Sequence, residues 1–484
     1  MEFATGRFVN AQSVVMCRYA LYAGIAAALA GLIGCGSGGS GGSANADAPA
    51  LVEASVVTPA AAPVVPLAAA ASVTRTLEVP DALSDIGPFD TPRSLMVPPG
   101  FGVRLMARVP GARFMARAPN GDILVSNPGT GIITLLRDTG GPVPDSHEFA
   151  TGLNRPHDMV FHQIGDVTYL YISEANRVTR SVYAVGDTTT ANRVVIVDDL
   201  PSASLPELQG TYSHELKNIA LSPDHKLYIS IASTCNACEE DTASDPLRGA
   251  IYEYNADGSG RRLFAKGLRN AEGLDFRPGT NDLWVAVNNR DQMLFPFDID
   301  FDGDGKSDYG KLLQAFVDRY PPDLFTRVRD GGNYGWPFCN SLPNPEMNNL
   351  ELARDFELNR DGSKLDCGTA DRALKGVRAH SAPLGMSFLQ NSNVPAAYRR
   401  GAVLAHHGCW NCSRLDAGYK VTYMPFDDAG NPGAEIDLIT GFVTDPDNRI
   451  LWGRPVDAIA DAKGNILVSD DYSGAIYQMY PLAP

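Results

Sequence analysis

Two glycine-marked segments carry side chains suited to holding an anion or a metal. One is Gly267-Leu268-Arg269-Asn270-Ala271-Glu272-Gly273-Leu274. The other is Gly331-Gly332-Asn333-Tyr334-Gly335-Trp336-Pro337. Arg269 offers a planar fork that can hold a carboxylate through two parallel hydrogen bonds. Asn270 adds a fixed amide. The second segment offers bare backbone carbonyls beside the aromatic pair Tyr334 and Trp336. A third signal reads from residues alone. Asp300-Phe301-Asp302-Gly303-Asp304-Gly305-Lys306-Ser307-Asp308 places carboxylates at loop positions one, three, five and nine, with Gly at six. That spacing wraps oxygens around Ca²⁺. Lys311 stands where an EF-hand has its last acid, so the loop is not a standard EF-hand. The expectation is a structural calcium site on Asp300, Asp302, Asp304 and Asp308. The plainer alternative is a solvated acidic loop.

These segments lie far apart in the chain, so one site needs a scaffold that gathers distant loops. A unit recurs: a polar turn, then an apolar strand ending in a small residue. Pro119-Asn120-Gly121-Asp122-Ile123-Leu124-Val125-Ser126, Pro223-Asp224-His225-Lys226-Leu227-Tyr228-Ile229-Ser230 and Lys463-Gly464-Asn465-Ile466-Leu467-Val468-Ser469 are examples. Partner strands follow, as in Gly131-Ile132-Ile133-Thr134-Leu135-Leu136. Abundant Gly (47) and Pro (34) suit many short strands and tight turns. Short hairpins without a long amphipathic helix predict an all-β fold, a β-propeller first and a large β-sandwich second. Loops of a propeller converge on its channel mouth, where ligands bind.

The net charge of −16 argues against nucleic acid, whose phosphates need a basic face. It also disfavours electrostatic adhesion to anionic lipid. The beginning of the chain reads as a targeting segment. Arg7 and Arg18 precede an apolar run, Tyr19 to Gly34, that is short for a membrane span. Leu32-Ile33-Gly34-Cys35 resembles a bacterial lipobox. The expectation is a signal peptide over residues 1–34, lipid on Cys35, and membrane contact only through that anchor. Gly36 rather than Asp points to the outer membrane of a bacterial cell envelope. An ordinary secretory signal is the alternative. Residues 36–96 are Gly/Ser-rich, then Ala/Pro-rich, and read as a linker, with the folded domain at 97–484.

Cys17 and Cys35 belong to the targeting region. The other six fall as Cys235/Cys238, Cys339/Cys367 and Cys409/Cys412. In an exported chain these read as disulfides, with a zinc site on the two CxxC pairs as the alternative. Glu239 and Ser413, not His, follow the CxxC pairs, so covalent c-type haem is not expected.

Five segments in order carry a family resemblance. They are Ser213-His214-Glu215-Leu216-Lys217-Asn218, Leu268-Arg269-Asn270, Asn288-Asn289-Arg290-Asp291 running on to the Gly332 segment, Ala379-His380-Ser381-Ala382-Pro383-Leu384-Gly385, and Trp452-Gly453-Arg454-Pro455-Val456 with Ser469-Asp470-Asp471. Together they resemble the soluble quinoprotein glucose/sorbosone dehydrogenase family over residues 97–482, and look closest to its sorbosone and pyranose dehydrogenase branch. The resemblance implies a six-bladed β-propeller with four-stranded antiparallel blades. It implies pyrroloquinoline quinone (PQQ) and Ca²⁺ as cofactors, and a sugar or polyol substrate, including an aldosone such as sorbosone. An external cytochrome or quinone would accept the electrons.

The same resemblance assigns roles. His214 becomes the general base that takes the hydroxyl proton as hydride leaves. Arg269 would face the quinone oxygens. Asn270, Arg113, His380, Arg454, Tyr334 and Trp336 would hold the cofactor. His157, in Arg155-Pro156-His157-Asp158, would line the substrate side. Backbone carbonyls around Asn289, Arg290 and Asp291 would hold the cofactor's Ca²⁺. Two departures stand out. The family often has Arg directly after His-Gly-x-Trp-Asn, whereas Cys412 follows His407-Gly408-Cys409-Trp410-Asn411 here. Arg414 or Lys420 is the expected substitute. Ala232 also replaces a usual Gly. Two other function classes stay open: a Ca²⁺-dependent propeller hydrolase of lactonase type, and a sugar- or protein-binding propeller without catalysis.

Overall fold

The recurring turn-and-strand unit builds the inner hairpin of a blade. Strand Met115–Arg117 turns through Pro119-Asn120-Gly121 into Ile123–Asn127. Gly121 takes the positive φ of 94° that this turn requires. Ile132–Arg137 and Asp145–Ala150 complete four antiparallel strands in chain order. The computed structural model, which describes residues 71–483, repeats this plan in six sheets. Their first strands are Met115–Arg117, Met159–Ile164, Ile219–Leu221, Asn270–Phe276, Pro383–Phe388 and Pro455–Ala460, which number blades one to six. Each first strand touches the first strands of both neighbours, so the six close a ring around a central channel. Phe101–Arg108 pairs with Ala475–Pro481 as the outer strand of blade six, so an early segment closes the circle. This is the expected propeller, not two stacked sheets.

Apolar clusters fill the spaces between adjacent blades. Blades four and five meet around Trp284, Phe325, Phe388 and Phe426, with Trp284 edge-to-face on Phe426 at 4.9 Å. The small residue ending the second strand has a separate task. Ser126 Oγ donates to the His157 carbonyl (2.5 Å), Ser173 to Lys217 (2.6 Å), Ser230 to Ala271 (2.6 Å) and Ser469 to Arg113 (2.5 Å). Each bond reaches the chain entering the next blade. A repeated Ser therefore latches one blade to the next at four of the six joints.

The expected linker extends too far. Val73–Thr76 pairs with Ser94–Val97 in a two-stranded sheet, and Leu77, Phe89, Leu95 and Val97 join the core cluster between blades five and six. The domain therefore begins before residue 97, because these apolar side chains have a core to enter. Cys35 and residues 1–70, with the expected signal and most of the linker, lie outside the described residues. Among the described residues no helix is long and apolar enough to cross a membrane. All three expected disulfides form, Cys235–Cys238, Cys339–Cys367 and Cys409–Cys412, so the CxxC thiols are not free for zinc.

Candidate active site

The first strand of each blade starts, and the second ends, at one rim of the ring. Residues just before the first strands or just after the second strands therefore converge. Arg113, His214, Arg269, Asn270, Asp291 and Arg454 line one cavity of about 230 Å³ there. A cavity of about 320 Å³ lies elsewhere, between blades six and one, but its Asp122, Asp138 and Lys463 are already ion-paired with one another or with Arg137. Volume alone does not choose the site; its chemistry does.

Three guanidiniums face the smaller cavity in different states. Arg269 is buried and fully tied: Nε donates to the Asn236 carbonyl (3.0 Å), while Nη2 donates to Asn236 Oδ1 (3.1 Å) and Asp291 Oδ2 (3.0 Å). Arg113 pairs with Asp471 through Nη1 at 2.9 Å, and its buried Nε has no partner among the described residues. Arg454 donates Nε to the His407 carbonyl at 2.9 Å and pairs with no carboxylate of the described residues. Asn288 adds a buried amide oxygen that no donor of the described residues reaches.

The histidines divide by their partners. His214 Nδ1 lies 2.9 Å from the Ser233 carbonyl and 3.0 Å from its hydroxyl. Burial, helped by nearby Arg269, pushes the ring down to about 4, so it is neutral at neutral pH. His380 Nε2 lies 2.6 Å from the Val317 carbonyl, and its Nδ1 faces Asp291 Oδ1 at 3.4 Å. Burial opposes its charge, but Asp291 and Asp323 outweigh that and raise it above the usual histidine value. His407 Nε2 reaches Asp471 at 2.9 Å, while burial, with Arg454 and Arg113 adding to it, holds that ring near 4.

The carboxylates are already occupied. Asp323 accepts the backbone N–H groups of Asn289 and Ala382, both at 2.8 Å. Glu272 accepts from Asn270 Nδ2 (3.1 Å) and faces His157 Nε2 (3.2 Å). Burial alone would raise Glu272, yet the His157 contact and Arg113 bring it down to about 2.

Several expectations need correction. Arg414 and Lys420 do not reach the cavity: Arg414 lies near Asp447 (3.3 Å), and Lys420 pairs with Asp437 (2.7 Å). The Cys409–Cys412 ring turns the chain before Arg414 can enter. Tyr334 and Trp336 do not line the cavity either. Their segment packs against the backbone of Gly267, where an added Cβ would meet Gly335 N at 2.5 Å. Tyr334 N donates to Lys266 O and Trp336 N to Gly267 O, so this segment props the strand that presents Arg269. His157 is fully buried beneath the cavity, against Phe114 (4.5 Å) and Glu272, and cannot meet a substrate directly. The Arg290 side chain is committed to the buried Asp355 and the exposed Glu357, leaving only its backbone for a metal. Ala232 is buried, its carbonyl accepting the Tyr212 hydroxyl. In the acidic loop, Asp300, Asp302 and Asp304 offer oxygens within 4.8 Å of one another. Asp308 instead accepts the N–H groups of Phe301 (2.7 Å) and Asp302 (3.0 Å), which shapes the loop from inside.

Sequence reasoning passed over Glu272, Asp323, His407, Asp471 and Trp410. Glu272 had a signal: it follows Asn270 by two on one strand and so shares its face. His407 and Asp471 lie in segments that carry the family resemblance, but their pairing, which joins blades five and six, left no local signal. Trp410, 61% exposed at the mouth, is the aromatic that does line the cavity.

The TrAA12-like family model matches residues 95–481. The chain belongs to the TrAA12-like family. Family AA12 of the Carbohydrate-Active Enzymes from Trichoderma reesei has a similar structure: TM-score 0.64 at 19% identity, over 80% of this chain and 97% of that one. So does the PQQ domain of pyranose dehydrogenase from Coprinopsis cinerea in its holo form, with TM-score 0.64 at 19% identity over 80% and 96%. An uncharacterized protein of Borreliella burgdorferi is 27% identical over 264 residues, 54% of this chain. That match spans 58% of the relative's length. The TrAA12-like fold thus agrees with the ring of six blades.

Proposed function

We propose that this TrAA12-like protein is a PQQ- and Ca²⁺-dependent dehydrogenase that oxidises a sugar, an aldose, a pyranose or an aldosone such as sorbosone. An external cytochrome or quinone would take the electrons. The observation that carries the reading is Arg454, a cavity-lining guanidinium with no carboxylate partner. An anionic ligand supplies what Arg454 lacks, and the unpartnered Arg113 Nε strengthens the fit. The holo pyranose dehydrogenase domain of Coprinopsis cinerea supports the choice of PQQ, and the calcium structure of the Trichoderma reesei protein supports Ca²⁺.

When bound, PQQ supplies an ortho-quinone that accepts a hydride from the substrate carbon. The chain's own residues do the rest. Arg113 and Arg454 would bind carboxylates of the cofactor. Arg269, held rigid, places fixed positive charge at the cavity floor. Because the Ser233 carbonyl can only accept, His214 Nδ1 carries the ring hydrogen and Nε2 keeps the lone pair. His214 Nε2 would take the substrate's hydroxyl proton. Carbonyls of Asn289, Arg290 and Asp291 would hold the cofactor's Ca²⁺, and the orphaned Asn288 Oδ1 is a further oxygen ligand at hand. Asp300, Asp302 and Asp304 would hold a separate structural Ca²⁺.

The hydrolase reading has less support. It wants side-chain carboxylates free for a metal, and Asp291, Asp323 and Glu272 are each committed to protein donors. Export with lipid on Cys35 remains part of the proposal, resting on the sequence and on the fit of three disulfides to an oxidising compartment. The test is reconstitution. Cofactor-free protein mixed with PQQ and Ca²⁺ should take up the quinone stoichiometrically and reduce a dye when given aldoses or aldosones. Folded protein that binds no quinone would overturn the reading.

A further inference from the structure

Each of the two CxxC disulfides closes a small ring that contains an asparagine, and both asparagines reach Asp291. Asn236 lies between Cys235 and Cys238. Its Nδ2 donates to the Asp291 carbonyl (2.8 Å), and its Oδ1 accepts the Asp291 N–H (2.8 Å). The side chain thus pairs with the Asp291 backbone as a neighbouring strand would. The same Oδ1 accepts from Arg269 Nη2 (3.1 Å), and the Asn236 carbonyl accepts from Arg269 Nε (3.0 Å) and Trp336 Nε1 (3.2 Å). Asn411, between Cys409 and Cys412, reaches the Asp291 carboxylate, with Nδ2 3.3 Å from Oδ1.

We propose that Asn236 is a positioning residue that locks Arg269 and Asp291 into one geometry, and that the Cys235–Cys238 disulfide holds Asn236 in that role. The functional meaning rests on the dehydrogenase reading; the positional part does not. The physical argument is one of cost. Residues 235–238 form a half-exposed loop outside any strand, and fixing its backbone costs conformational entropy. A covalent ring limits the states the loop can visit. Without it, Asn236 would swing away and release two groups at once: the guanidinium near His214 and the Asp291 carbonyl. Among the described residues the Arg269 guanidinium has no other hydrogen bond to this loop; its remaining ones go to Asp291 (3.0 Å) and, at 3.5 Å, to the Asn288 carbonyl.

The position of Arg269 can be read through His214, whose ring it helps hold in the neutral form. Titrating His214 by NMR in the protein without quinone or calcium reports that position before any chemistry. In Asn236→Ala the His214 midpoint should rise, because Arg269 lowers it more than Asp291 raises it. Affinity for PQQ, followed by its absorbance, should fall about tenfold, with thermal unfolding little changed. Cys235→Ser/Cys238→Ser should move both readouts the same way and serves if Asn236→Ala does not fold. An unchanged His214 titration together with unchanged PQQ affinity in a folded variant would overturn the proposal. Wild-type protein that binds no PQQ would sink the dehydrogenase reading while leaving the His214 comparison able to decide the positional one.

Discussion

His214 Nδ1 lies 2.9 Å from the carbonyl oxygen of Ser233, which fixes the ring's tautomer. The lone pair is left on Nε2, the nitrogen a base needs. With the ring pushed down to about 4 by burial and Arg269, it is protonated only in acid. Activity should therefore hold as pH falls through 6 and be lost near 4, rather than near the usual 6.5 for histidine. The folded ring binds its proton less readily than the unfolded one. Stability from this group is thus present above 6.5 and lost as pH falls toward 4. His214→Ala should lower kcat about 10²–10⁴-fold with normal folding. A pH–rate profile with its acid limb near 6.5 would contradict the assignment.

Arg454 and Arg414 should separate cleanly. Arg454→Ala removes a cavity cation and should weaken PQQ binding by about 1.5–3 kcal/mol, the range for a charged hydrogen bond. Arg414→Ala and Lys420→Ala, whose charges meet surface aspartates, should leave that affinity within error. Binding titrations on the three variants check this.

The blade latches predict stability rather than activity. Ser230→Ala leaves the Ala271 carbonyl without its donor and should cost about 1–3 kcal/mol. Ser126→Ala should behave alike, since it frees the His157 carbonyl. Denaturant unfolding would show the loss, with PQQ affinity of the folded fraction retained.

Arg290 is structural through its side chain. Asp355 is fully buried against it and keeps only neutral donors, Asn340 Nδ2 and the N–H groups of Glu357 and Leu358, once the guanidinium is gone, so Arg290→Met should destabilise by up to about 3–5 kcal/mol. Asp355→Asn in the Arg290→Met background should recover part of that loss, because the stranded charge is then gone.

Calcium on the acidic loop can be read by proteolysis. With Ca²⁺ present, cleavage within residues 300–308 should slow, and chelator should restore it. Asp300→Asn with Asp302→Asn should cleave fast under both conditions. Equal cleavage of the native chain with and without Ca²⁺ would leave this loop simply acidic.

Much of the fold was legible in the chain. Turn residues followed by apolar strands dictate short hairpins, while the latching role of the Ser near the end of several of them emerged only in the structure. Local chemistry was legible too: Arg269 and Asn270 announce themselves by type and by neighbours, and His214 through the family resemblance of its segment. What the chain hid were contacts between blades. Asp471 joins Arg113 across 358 positions and His407 across 64, and no local pattern encodes either contact. Val73–Val97 looked like linker because its strands are short and polar on one face, and only a waiting core makes them fold.

Residue type and spacing thus determined which side chains could bind an anion, accept a proton or pair as disulfides, because those are properties of short segments. Tertiary structure decided which of them meet. It put Arg454 in the cavity and Arg414 outside it, turned Trp336 into a prop and made Trp410 the aromatic at the mouth. The reason is geometric: a closed ring brings together the rims of six blades, and membership of the site follows from where each strand ends.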